Sequence, residues 1–142
     1  MQRLKEEGNN IWAEALTDDA SSYGKGWRTL VLMNRGTWDH VNVNLFPKTA
    51  TAIKDSGVAA VEVFFASMQP HTDIKMHSDF TNFVLTAHLA VDIPESGNNK
   101  CRLTVGDETR QWINGEGKIV NFISSLRCNH PSSLLMCTVF KL

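Results

Sequence analysis

His77 and Asp79 stand two residues apart in Met76-His77-Ser78-Asp79. On an extended backbone, side chains two apart leave the same face, so an imidazole and a carboxylate can converge on one ion. One histidine and one carboxylate are two members of the three-donor set that holds non-haem iron(II) while leaving positions open for a co-substrate and oxygen. His-x-Asp also forms surface turns in which the Asp caps backbone amides, and the spacing by itself leaves both readings open. His88, eleven residues past His77, lies in the apolar run Val84-Leu85-Thr86-Ala87-His88-Leu89-Ala90-Val91 and reads on its own as a core histidine with satisfied hydrogen bonds. His71, in Pro70-His71-Thr72-Asp73, reads as a solvated turn residue with a rim contact to substrate open to it, and His40 has nothing beside it that suggests chemistry. Asn82 could bond the loop that presents His77, and Trp27 and Trp112 read as core or rim anchors.

The elements that would position these groups are short. With 142 residues and 42% hydrophobic content, the chain matches one domain, 1–142. Its 14 basic and 15 acidic side chains are spread along the sequence, so no footprint for a phosphate backbone is visible and nucleic acid is not expected as a partner. No apolar run approaches the roughly 18 residues of a membrane span, and residues 1–10 are polar. Cys101, Cys128 and Cys137 are an odd number without a repeated spacing, which suits free thiols in a reducing compartment, with the cytoplasm as default.

Residues 10–16 have helical spacing behind Asn10 as N-cap, and Pro47 precedes a second short helix over 48–54. Residues 27–33 read as the first strand. From Val58 onward the texture is strands bounded by Pro, Gly and Asn, expected at 59–68, 74–76, 83–92, 102–105, 109–112, 119–123 and 134–140. Many short strands with such turns predict a sandwich or jelly roll, in which a pocket opens between two sheets.

The run Pro70-His71-Thr72-Asp73-Ile74-Lys75-Met76-His77-Ser78-Asp79-Phe80-Thr81-Asn82-Phe83, followed by Thr86-Ala87-His88-Leu89, closely resembles the core of the aspartyl/asparaginyl β-hydroxylase family. So does the stretch from Cys101 to Trp112, followed by Gly117-Lys118-Ile119-Val120 and Phe122. The resemblance covers about residues 27–122, in the family's order and at near-family spacings. It implies a double-stranded β-helix, a cupin-like jelly roll with one or two short peripheral helices. It also implies an iron(II)- and 2-oxoglutarate-dependent dioxygenase that hydroxylates Asp or Asn residues of a peptide or protein, or a small amino-acid-like substrate. The family's first iron histidine maps onto His77. Many relatives have Gly two residues later, whereas Asp79 would complete the two-histidine, one-carboxylate set. His88 matches a histidine that contacts 2-oxoglutarate, and Met68 falls where the family has a methionine lining the same pocket.

Residues 123–142 diverge. By the family's spacing, Cys128 occupies the place of the second iron histidine, six residues beyond Phe122. Thiolate is a softer and easily oxidised donor, so His130, two positions on, is the expected third ligand. The family's arginine for the distal carboxylate of 2-oxoglutarate is also missing: Thr138 stands in that region and Lys141 is the nearby cation. Weak turnover is the expectation. The rival readings are a catalytically silent cupin-like domain that binds a metal or small acid, and a metal enzyme that does not use 2-oxoglutarate.

Overall fold

The computed structural model describes residues 13–14, 26–69, 71–77, 85–93, 101–120, 124–128 and 135–141. β2 (Trp27–Asn34) and β4 (Glu62–Met68) pair over most of their length, and β4 is buried on both faces. Ala66 and Met68 point to one core, Val63 and Phe65 to another. An apolar strand covered on both sides belongs in the middle of a sheet, and β4 lies there between β2 and β11 (Leu135–Lys141).

Among the described residues the larger sheet runs β1-β2-β4-β11-β6-β9, with β3 (Thr37–Trp38) beside β2. Here β1 is Ala13–Glu14, β6 is Thr86–Asp92 and β9 is Gly117–Val120. The smaller sheet runs β5-β10-β7-β8, with β5 at Thr72–His77, β10 at Ser124–Cys128, β7 at Cys101–Val105 and β8 at Glu108–Gln111. Every pairing is antiparallel. From β4 onward the chain passes back and forth between the sheets, with only β7 and β8 consecutive in one. That alternation is the jelly roll that the sequence led us to expect.

The first core lies between the sheets and includes Trp27, Met68, Ile74, Leu103 and Trp112. The second lies on the outer face of the larger sheet, under α1 (His40–Leu45) and α2 (Pro47–Asp55). Pro47 opens α2, and the Asp39 side chain caps α1 by accepting from the Asn42 backbone N–H at 2.9 Å. Asn42 Nδ2 then donates to the Val31 carbonyl at 2.7 Å, which ties α1 to β2. Phe46 meets Phe65 with ring centroids 4.8 Å apart.

The structure corrects the sequence reading at three places. The helix expected over 10–16 falls mostly outside the described residues, but Ala13 and Glu14 are extended and pair with Thr29 and Arg28 of β2. A helix of two turns is marginal alone, whereas the open edge of β2 offers ready ladder partners. β10 is a strand of its own, where no bounded strand was expected between 123 and 134. Cys101 is disulfide-bonded and fully buried, not a free thiol. Cys128 lies directly opposite it on β10, while Cys137 is in the other sheet, opposite Ala66 and Ala90. An odd cysteine count is silent on strand register, and register is what brings two of them together. Since disulfides persist in oxidising surroundings, the default of a reducing compartment no longer follows from the cysteines.

Two outcomes are expected. Peptide mapping without reductant should recover Cys101 joined to Cys128; a Cys101–Cys137 peptide would show that register does not govern the pairing. Gly26 precedes β2, and a Cβ there would overlap the Thr72 hydroxyl oxygen and lie 3.0 Å from Thr72 Cβ. Gly26→Ala should therefore destabilise the fold by about 1–3 kcal/mol, seen as a lower melting temperature.

Candidate functional site at one end of the barrel

His77 is the last residue of β5, and β10 begins opposite it with Ser124. In the larger sheet, Thr86 at the start of β6 lies opposite Val120 at the end of β9. Only three residues join Val120 to Ser124, so these four strand ends share one end of the barrel. The segment that carries Asp79 and Asn82 leaves β5 at this end and returns as β6. Asp79, Asn82 and His130 themselves lie outside the described residues.

Inside, β6 alternates. Thr86, His88 and Ala90 are buried, while Leu89 and Val91 are exposed. His88 is 9% exposed, and its ring centroid lies 5.7 Å from that of Trp112, which is fully buried. Met68, also buried, belongs to the same core as Trp112. His88 therefore faces the space between the sheets, as does Met68, and both have the burial that a pocket lining requires.

Directly opposite His88 on β9 is Lys118. β9 alternates as well: Ile119 is exposed, whereas Val120 packs against the inter-sheet core. Lys118 shares the face of Val120, and its side chain is only 14% exposed. Its Nζ lies 5.7 Å from the Trp112 ring centroid and 3.6 Å from Oε2 of the half-exposed Glu116.

Side-chain and backbone bonds lock this ladder in register. Asn114 accepts from the Ile93 N–H at 2.7 Å through Oδ1 and donates to the Ile93 carbonyl at 3.4 Å through Nδ2, so its amide imitates a strand edge. The Gly115 N–H donates to the Ala90 carbonyl at 2.9 Å, and the Ala90 N–H to the Glu116 carbonyl at 3.1 Å. Gly115 has φ 81°, the left-handed conformation that costs glycine little.

The described backbone does not bring Cys128 to His77. Cys128 lies opposite Thr72, five residues back along β5, or about 16 Å at ~3.3 Å per residue. Each residue of β10 after Ser124 recedes further from His77, and His130 lies beyond the described end of this strand. Among the described residues there is no group of three or more His, Cys, Asp or Glu able to hold a metal. The donor types at His77 and Asp79, one imidazole and one carboxylate, fit iron(II). Lys118 had no role in the sequence reading, although the alternation in Gly117-Lys118-Ile119-Val120 already sets it on the face of Val120.

The sequence model of the family described as aspartyl/asparaginyl β-hydroxylase matches residues 1–126. That match starts earlier than the expected residue 27 and ends before Cys128. The aspartyl/asparaginyl β-hydroxylases of Homo sapiens and Mus musculus are each 28% identical over 131 residues, 86% of this chain and 17% of theirs, so the chain spans only a small part of those relatives. Among solved structures, a cupin-superfamily sugar phosphate isomerase from Silicibacter pomeroyi superposes with a TM-score of 0.54 at 7% identity, over 92% of this chain and 68% of that one. The viral collagen prolyl hydroxylase of Paramecium Bursaria Chlorella virus-1, solved as a 2OG complex, gives 0.52 at 12% identity, over 84% and 78%. At such identities these structures speak for the fold alone, a cupin-like jelly roll. The sequence match supplies the rest: this chain belongs to the aspartyl/asparaginyl β-hydroxylase family.

Proposed function

We propose that the chain is an iron(II)- and 2-oxoglutarate-dependent dioxygenase acting on Asp or Asn residues or on a related small substrate. The observation that carries the reading is the position of His77 at the end of β5, at the same barrel end as the strands that turn His88 inward. His77 and Asp79 would hold the metal, which when bound activates oxygen. His88 is placed to donate to a carboxylate of the oxo-acid. Trp112 and Met68 keep the surroundings dry, which strengthens polar contacts and protects reactive species from water.

A second reading, a silent domain that binds a small acid, gains support from the strand register. Ser124 and not a histidine stands opposite His77, and β10 carries the chain away from it as far as Cys128. Two protein donors hold iron weakly, so slow turnover is expected even where the first reading holds.

Anaerobic titration with iron(II), followed by oxygen and 2-oxoglutarate, decides between them. The native chain should retain iron and release succinate only when oxygen is present. His77→Ala and Asp79→Ala should each lower iron affinity by more than the roughly 10- to 100-fold that changes behind a ligand cost, with unchanged thermal melts. Unchanged affinity in both variants would remove the assignment, and binding of 2-oxoglutarate without succinate would favour the silent domain. His88→Ala should weaken 2-oxoglutarate by about tenfold while iron affinity moves less; equal losses would make His88 a purely structural core residue.

A further inference from the structure

A lysine whose side chain is only 14% exposed, inside a barrel packed with tryptophan and aliphatic side chains, is an expensive feature. Removing an ammonium from water is unfavourable unless an anion and hydrogen-bond acceptors replace the water. The Glu116 carboxylate, at 3.6 Å and 52% exposed, is beyond hydrogen-bond distance and itself largely solvated. The face of Trp112 attracts the cation but accepts no full charge. The ammonium carries three donors, and His88 stands directly across the ladder on the same inward face.

We infer that Lys118 binds the distal carboxylate of a dicarboxylate ligand, with His88 beside it, and so does the work for which the family uses the arginine that this chain lacks. The inference rests on the oxygenase reading for the identity of the diacid, 2-oxoglutarate, but not for the existence of the subsite. On the strand where the family's spacing would put the arginine, the cation Lys141 pairs with Thr86, in the row at the barrel mouth. Thr138 of β11 lies opposite Leu89 and Phe65, members of the row that faces away from the inter-sheet core. Lys118 is instead one inward step, about 7 Å, from the row of Thr86 and Val120 at the site end of the barrel. A diacid can thus lie along the barrel, one end at that mouth and the other at Lys118. A lysine is a point charge on a flexible stem and lacks the planar fork of an arginine, so the subsite should discriminate poorly between diacids of neighbouring lengths.

The test is calorimetric titration of the whole chain and of Lys118→Met and Lys118→Arg, each with and without anaerobic iron(II). The ligands are 2-oxoglutarate, glutarate, and 2-oxovalerate, which carries a methyl where 2-oxoglutarate has its distal carboxylate. Lys118→Met should weaken 2-oxoglutarate and glutarate by about 10- to 100-fold and leave 2-oxovalerate unchanged, and Lys118→Arg should restore most of the loss. Equal losses for 2-oxovalerate would mean that Lys118 merely supports Trp112, and no loss for any ligand would exclude it from the subsite; either result overturns the inference. If glutarate binding depends on Lys118 while iron fails to strengthen 2-oxoglutarate, the subsite stands and the oxygenase reading falls. If the native chain binds none of the three, both fall.

Discussion

Trp112 has no exposed surface and lies between the two sheets, in one core with Met68, Ala66, Ala90, Cys101 and Leu103. Two sheets that meet face to face must fill a layer about 10 Å thick. Here one indole spans much of it. Truncating such a side chain typically costs about 3–5 kcal/mol, a large part of the net stability of a domain this size. The indole is also a surface against which His88 and Lys118 are set, each 5.7 Å away. Packing therefore sets both polar side chains against one ring.

The two sheets divide the work. The larger one is packed from behind, where Ile53 of α2 and Phe46 join Leu30, Leu32, Val63 and Phe65 in the second core. Its far edge, β6 with β9, supplies the inward-facing imidazole and ammonium. The smaller sheet supplies the strand end with His77, and Cys101 fastens the opposite end of that sheet through its disulfide. The end of the smaller sheet with Cys101 is thus covalently secured, while His77 stands at the other end of β5. Binding groups at strand ends on a fixed scaffold are free to vary without disturbing the core.

The match to the aspartyl/asparaginyl β-hydroxylase family ends at residue 126, and the residues beyond it that sequence spacing singled out have their own places in the fold. Cys128, where the resemblance led us to look for a metal-binding histidine, lies across from the disulfide-bonded Cys101, at the end of β5 remote from His77. Thr138 pairs with Phe65 and Leu89, and the lysine Lys118 stands across from His88.

By itself the sequence determined the class of fold, because alternation and turn residues act locally: Thr86, His88 and Ala90 must share one strand face wherever that strand lies. It also drew attention to His77 and Asp79, through same-face spacing that needs no tertiary information and through the family-like residues around them. Pairing was beyond it. Which strand lies beside which, and in what register, depends on contacts between residues far apart in the chain, and a shift of a few positions changes every partner while leaving each strand's own pattern intact. That is why three cysteines read as free thiols until β7 and β10 set Cys101 against Cys128. It is also why Ser124 came to stand opposite His77 where a histidine was sought further on. Lys118, an ordinary charged residue on a short strand, acquired significance only when the tertiary structure laid it across from His88 and over Trp112, because burial of a charge is a property of its surroundings.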